Sequence, residues 1–282
     1  MHTTIVTPAT LARHLDDPDW AVLDIRHDLM RPGHWGEERY RDGHIAGAVF
    51  LHLDRDLSAA KTGVNGRHPL PEPQAAAATF ARAGVGPSTQ VVVYDEDSGM
   101  YAARAWWMLR WLGHRAVALL DGGYARWVRE AHPVSTAIPV PRAAPLSVGR
   151  VAPIADAGEL LASLSHRSLA IVDARAPERF RGETEPMDPV AGRIPGARNR
   201  PYASNLAADG TFKDPATLRR EFEALLGDTP VEEVVHHCGS GVTACHNVLA
   251  MLMAGYPETR VYPGSWSEWC ADPSRPVATG PA

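Results

Sequence analysis

Ala21-Val22-Leu23-Asp24-Ile25-Arg26 returns 149 residues later as Ala170-Ile171-Val172-Asp173-Ala174-Arg175. Gly43-His44-Ile45-Ala46-Gly47-Ala48 and Gly192-Arg193-Ile194-Pro195-Gly196-Ala197 stand the same distance apart. Two matches with one offset mark an internal duplication, and a duplication decides the architecture before any single element is assigned. A third pair, Asp121-Gly122-Gly123-Tyr124-Ala125-Arg126-Trp127 and Pro263-Gly264-Ser265-Trp266-Ser267-Glu268-Trp269, lies 142 residues apart. The first copy therefore carries seven extra residues, which we place in the Gly- and Pro-punctuated stretch 54–73.

Short apolar runs at 21–25, 91–94 and 117–120 read as buried parallel strands, being too short for helices. Helix-forming stretches fall between and after such runs, at 75–83, 102–112, 216–226 and 244–254. This alternation implies an α/β fold in which each copy has a central parallel sheet, joined by right-handed crossovers and flanked by helices. The expected domains are 1–135 and 151–282. A linker at 136–150, punctuated by Pro139, Pro141 and Pro145, joins them.

Composition removes whole classes of function. The 282 residues include 45% hydrophobic ones and carry 28 basic against 33 acidic side chains, a net charge of −5, which suits a folded core and excludes disorder. The acidic balance gives no general attraction to nucleic acid or to an anionic membrane, so neither is expected as a partner. No long apolar span or basic, apolar leader is visible at the start, and the expected compartment is the cytoplasm. Cys238, Cys245 and Cys270 are the three cysteines, without a C-x-x-C pair, so neither a disulfide framework nor a metal site is expected.

The chemistry concentrates in His236-His237-Cys238-Gly239-Ser240-Gly241-Val242-Thr243, set between an apolar approach and a helical run. Glycines at 239 and 241 let the backbone curl so that successive N–H groups of the loop, Val242 and Thr243 included, turn inward. The following helix adds the positive end of its dipole. A thiol in such a cradle is expected to ionise near neutral pH and act as a nucleophile. Cys238 is therefore the candidate nucleophile. A cysteine phosphatase needs an arginine six residues on, where Ala244 stands, and that activity is excluded.

The loop Cys238-Gly239-Ser240-Gly241-Val242-Thr243, together with the duplication, resembles the two-domain sulfurtransferases of the rhodanese family, nearest to the mercaptopyruvate type. The resemblance covers essentially the whole chain. It implies two tandem rhodanese-like domains: an inactive first one, with Asp95 at the cysteine position, and a catalytic second one. It implies that Cys238 carries sulfane sulfur from 3-mercaptopyruvate to a thiol, cyanide or thioredoxin-like acceptor without a cofactor, releasing pyruvate. It further implies that Ser240, His68 and Asp54 relay a proton, and that Arg179 binds the donor carboxylate. Gly239, Gly241, Val242 and Thr243 would bind the donor through the loop backbone.

Two departures bear on the donor. The family's second carboxylate-binding arginine falls at Met187, so Arg181, Arg193 or Arg198 is left to replace it. Thiosulfate-type members place basic residues directly after the cysteine, where this chain has Gly239 and Ser240. Thiosulfate transfer stays open as an alternative reading, as does a module in which Cys238 is oxidised rather than sulfurated.

Overall fold

The computed structural model describes residues 1–149 and 151–281. The last linker residue, Arg150, and the C-terminal Ala282 lie outside the described residues. The chain resolves into two compact units. The first comprises 1–59, 71–152 and 208–211, and the second 60–70, 153–207 and 212–282. Residues 60–70, which fall within the first half in chain order, thus pack with the second unit.

In the first unit five parallel strands run in the order Ile5–Val6, Val117–Leu120, Gln90–Tyr94, Trp20–Asp24 and Val49–Phe50. The central Gln90–Tyr94 is buried along its whole length, which is why it reads as an unbroken apolar run rather than an alternating one. Helices Pro73–Arg82 and Ala102–Trp111 lie where helical composition was expected. Trp106, on the second of these, is fully buried and donates its indole N–H to the Thr3 carbonyl at 3.1 Å. Val22, Val92, Ala118, Leu120 and Trp127 belong to this unit's core. Residues 136–149 form no regular element. Ala144 and Gly149 tie them to the first unit by N–H bonds to the carbonyls of Ala81 and Leu112.

The second unit repeats the plan with four parallel strands in the order Arg260–Val261, Val234–His237, Ala170–Asp173 and Arg198–Asn199. Helix Pro215–Leu226 starts cleanly because Asp214 accepts the Thr217 N–H at 2.9 Å and Pro215 occupies a position that needs no donor. Ile171, Val235, Phe180, Trp266 and Trp269 build the core. Strand Val234–His237 runs into the cysteine loop, and helix Ala244–Met253 leaves it, almost wholly buried. Among the described residues no helix is long and apolar enough to cross a membrane.

Candidate active site

Cys238 follows the last residue of its strand and is 2% exposed. Three bonds fasten the loop from outside. The Cys238 N–H donates to the Ser265 hydroxyl at 3.1 Å, while the Cys238 and Gly239 carbonyls accept the N–H groups of Trp266 at 3.0 Å and Ser267 at 2.9 Å. With these bonds made outward, the next N–H groups turn toward the sulfur. Gly241 permits the turn at φ +74°, where a side chain would also collide with the Pro263 carbonyl.

Burial alone would raise the thiol's pKa. The Thr243 hydroxyl and the N–H groups of Ser240, Ala244 and Val242 outweigh it and hold Cys238 below the ordinary thiol range. The buried site therefore favours a thiolate, the form that attacks sulfur. The preceding histidines take no part in this cradle. His236 sets Nε2 3.2 Å from the Met251 sulfur, and His237 donates Nδ1–H to the Cys238 carbonyl at 3.2 Å. Burial pushes both below the usual imidazole range. Cys245 is buried, with Sγ 3.4 Å from the Gly241 carbonyl.

Ser240 and His68 meet although 172 residues separate them. The Ser240 hydroxyl lies 2.7 Å from His68 Nδ1, and both side chains are buried. His68 reaches this position because 60–70 packs with the second unit. Asp54 belongs to the first unit, in the short helix Leu53–Asp56, where its N–H donates to His52 Nδ1 at 3.0 Å. Asp54, His27 and His52 could surround a metal ion by distance. The His52 lone pair, however, already accepts the Asp54 N–H, and its Nε2–H donates to the Gly33 carbonyl at 2.6 Å, so this ring has no free electron pair to offer.

Arg179 sits on the helical turn Pro177–Phe180 and grips Glu185 with two nitrogens, at 2.6 and 3.2 Å. Glu185 also accepts from Arg175 at 3.3 Å, and Arg175 pairs with Asp173 at 2.7 Å. This buried ladder aims the Arg179 guanidinium at the loop: a Cβ added to Gly239 would lie 3.5 Å from both of its terminal nitrogens. The same added Cβ would lie 2.8 Å from Nη2 of Arg67, a residue that sequence reasoning did not select. Its only signal was its place beside His68.

The three arginines considered as replacements at position 187 lie elsewhere. Arg181 pairs with exposed Glu183, Arg193 bonds the carbonyls of Phe180, Gly280 and Pro281, and Arg198 bonds those of Leu225 and Leu226. Met187 itself contributes a backbone N–H to Glu185 at 3.1 Å.

The family model for the rhodanese-like domain matches residues 7–130 and again 156–272. A Pseudomonas aeruginosa protein named "Probable 3-mercaptopyruvate sulfurtransferase" is 48% identical over 98% of both chains. The human 3-mercaptopyruvate sulfurtransferase is 38% identical over 88% of this chain and 84% of its own length. Among solved structures, SseA from Escherichia coli, described as a 3-mercaptopyruvate sulfotransferase, aligns with a TM-score of 0.80 and 30% identity over 94% of this chain and 99% of its own. The duplicated parallel sheets and the cysteine loop thus define a tandem-domain sulfurtransferase, and the chain belongs to the rhodanese family. Within that family its relatives over the full length include mercaptopyruvate enzymes.

Proposed function

We propose that the chain transfers sulfur from 3-mercaptopyruvate to a thiol or cyanide acceptor through a persulfide on Cys238, releasing pyruvate. The Cys238 thiolate attacks the donor sulfur. The carbon–sulfur bond breaks with its electron pair passing to carbon, which leaves a persulfide and the enolate of pyruvate. Backbone N–H groups of the loop stabilise charge at sulfur, and Arg179 holds the donor carboxylate. A proton must then reach the enolate. The observation that carries the reading is the 2.7 Å contact between Ser240 and His68, which supplies a hydroxyl able to pass one. Sulfite leaving from thiosulfate would need no such proton. Asp54 is the third member of the relay in this reading.

An acceptor nucleophile takes the outer sulfur in the second half-reaction and restores the thiolate. A reduced thioredoxin-like protein is the proposed protein acceptor, and the cytoplasm, where thiols stay reduced, the proposed compartment. The test is a side-by-side assay with 3-mercaptopyruvate and thiosulfate, cyanide as acceptor. We expect kcat/KM to favour mercaptopyruvate about a hundredfold or more. Ser240→Ala should lower kcat with mercaptopyruvate by about a hundredfold and spare thiosulfate. Equal losses with both donors would remove the relay, and a preference for thiosulfate would replace the donor. Turnover with neither would favour the oxidation-sensing alternative.

A further inference from the structure

We infer that Asn205 is a positioning residue for the nucleophile: acting through the first turn of helix Ala244–Met253, it holds in place the donors that face the Cys238 sulfur. The inference rests on the sulfurtransferase reading for the reaction affected. It rests on geometry for everything else.

The cradle has two ends, and the turn at 265–267 fastens only one of them, the end at Cys238 and Gly239. At the other end, the donors of Val242, Thr243 and Ala244 belong to the start of the helix. Thr243 stands where a hydroxyl would ordinarily cap that start. Its side chain makes no bond to the helix backbone, because the hydroxyl is turned to the sulfur. A helix start without its cap loses about 1 kcal/mol of support. The first turn therefore has to be held from elsewhere.

A set of buried polar side chains holds it. Asn205, His246 and Asn247 are fully buried. The Asn205 amide nitrogen lies 2.7 Å from Asn247 Oδ1 and 3.1 Å from His246 Nδ1, on two consecutive residues of the helix's first turn. Its oxygen accepts from Arg200 Nε at 3.1 Å and Nη2 at 3.0 Å. A guanidinium can only donate, so the oxygen faces Arg200 and both amide hydrogens face the helix; His246 Nδ1 is then an acceptor and carries its hydrogen on Nε2. Asn247 Nδ2 donates back to the Arg200 carbonyl at 2.8 Å. Arg200 is itself tied down: its N–H donates at 2.9 Å to the carbonyl of Asp173, the last residue of the strand beside Val234–His237, and its Nη2 donates to Glu221 at 2.6 Å. The link thus runs from the sheet through Arg200 and Asn205 to the turn that carries the Ala244 N–H. Asn205 uses both hydrogens and both lone pairs. Aspartate would lack the donors and leucine both functions, whereas a fully satisfied buried network fixes a single geometry.

The rate at which iodoacetamide alkylates Cys238 in the intact protein, located by mass spectrometry and followed against pH, reads the fraction of thiolate. Asn205→Ala is expected to move the midpoint to higher pH by about half a unit to one unit, and Asn247→Ala, which removes one of the two helix contacts, by less. kcat/KM for 3-mercaptopyruvate should fall about three- to tenfold on the acid side of the midpoint and recover at high pH, where both proteins are fully ionised. Leu160→Ala, a core truncation on helix Ala157–Ser163, is the control: it should lower stability and leave the midpoint in place. A midpoint unmoved in Asn205→Ala, or moved as far in Leu160→Ala, would overturn the inference, as would a loss of kcat/KM that is equal at every pH. Should Asn205→Ala not fold, an unmoved midpoint in Asn247→Ala has the same force. If the wild-type protein forms no persulfide from mercaptopyruvate, the sulfurtransferase reading fails, while the alkylation profile still decides the role of Asn205.

Discussion

The loop after strand Gln90–Tyr94 and the loop after strand Val234–His237 are the same device carrying different residues. In the first, Tyr124 and Ala125 N–H groups hold the carbonyls of Asp95 at 2.9 Å and Glu96 at 2.8 Å; in the second, Trp266 and Ser267 hold those of Cys238 and Gly239. Behind each loop an arginine pairs with the strand-end aspartate, bonds a distant glycine carbonyl and lies over an aromatic ring. The sets are Arg26 with Asp24, Gly43 and Tyr124, and Arg175 with Asp173, Gly192 and Trp266. Even the turn repeats, at φ +58° for Gly123 and +55° for Ser265. Asp95 fills its own cradle, accepting the N–H groups of Gly99, Tyr101 and Ala102 at 2.8–3.1 Å. The cradle is thus a property of the duplicated fold. In the proposed mechanism reactivity comes from the sulfur at 238 and from side chains that the first copy lacks: the position matching Arg179 is Met30, which is exposed. Ser265 adds a further difference. Its left-handed backbone costs about 1 kcal/mol more than glycine's, yet only a hydroxyl there can receive the Cys238 N–H.

The most severe test makes the second loop resemble the first. Cys238→Asp should fold, since the N–H groups that face sulfur can face a carboxylate, and should abolish sulfur transfer, with a loss on the order of ten-thousandfold or more. Turnover surviving in that variant would mean that Cys238 is not the sulfur carrier. Next in size is Thr243→Val, which removes the side-chain hydrogen bond that lowers the thiol's pKa. Thiolate is lost as pH falls through that pKa, so the acid limb of kcat/KM should move to higher pH by about one unit. An unmoved limb would shift the lowering onto the backbone alone.

The smallest effect belongs to the first loop. Burial, opposed by the three N–H groups, raises the Asp95 carboxyl from 3.8 to about 6. The folded state then binds the proton more tightly than the unfolded one, so wild-type stability declines as pH rises from about 4 to about 6 and stays low above that. Asp95→Asn should remove this decline, a difference on the order of 2–3 kcal/mol between pH 4 and neutral pH. Chemical denaturation at pH 4 and pH 7 would measure it, and parallel curves for the two proteins would contradict it.

The duplication could be read without a structure because repeated turns and strand ends recur at a constant spacing, and parallel strands buried on both faces leave unmixed apolar runs. The setting of the candidate nucleophile could be read because it is local: strand, glycines and helix are consecutive. Ser240 and His68 needed the family resemblance to be joined, since nothing near either residue points across 172 positions. Arg67 escaped notice for the same reason. Its place beside the cysteine loop is set by Ser267, whose hydroxyl accepts its N–H, and by Asp188, which pairs with its Nη1.

Residues 60–70 lie in the first half of the chain but pack with the second unit, and 208–211 do the reverse. The two repeats are consequently not separable by a cut in the coding sequence. A gene split at the linker would yield a C-terminal product that keeps Cys238 but leaves His68 and Arg67 on the other fragment. The unit that holds Cys238 is therefore not a contiguous stretch of sequence, and the C-terminal half by itself lacks part of it.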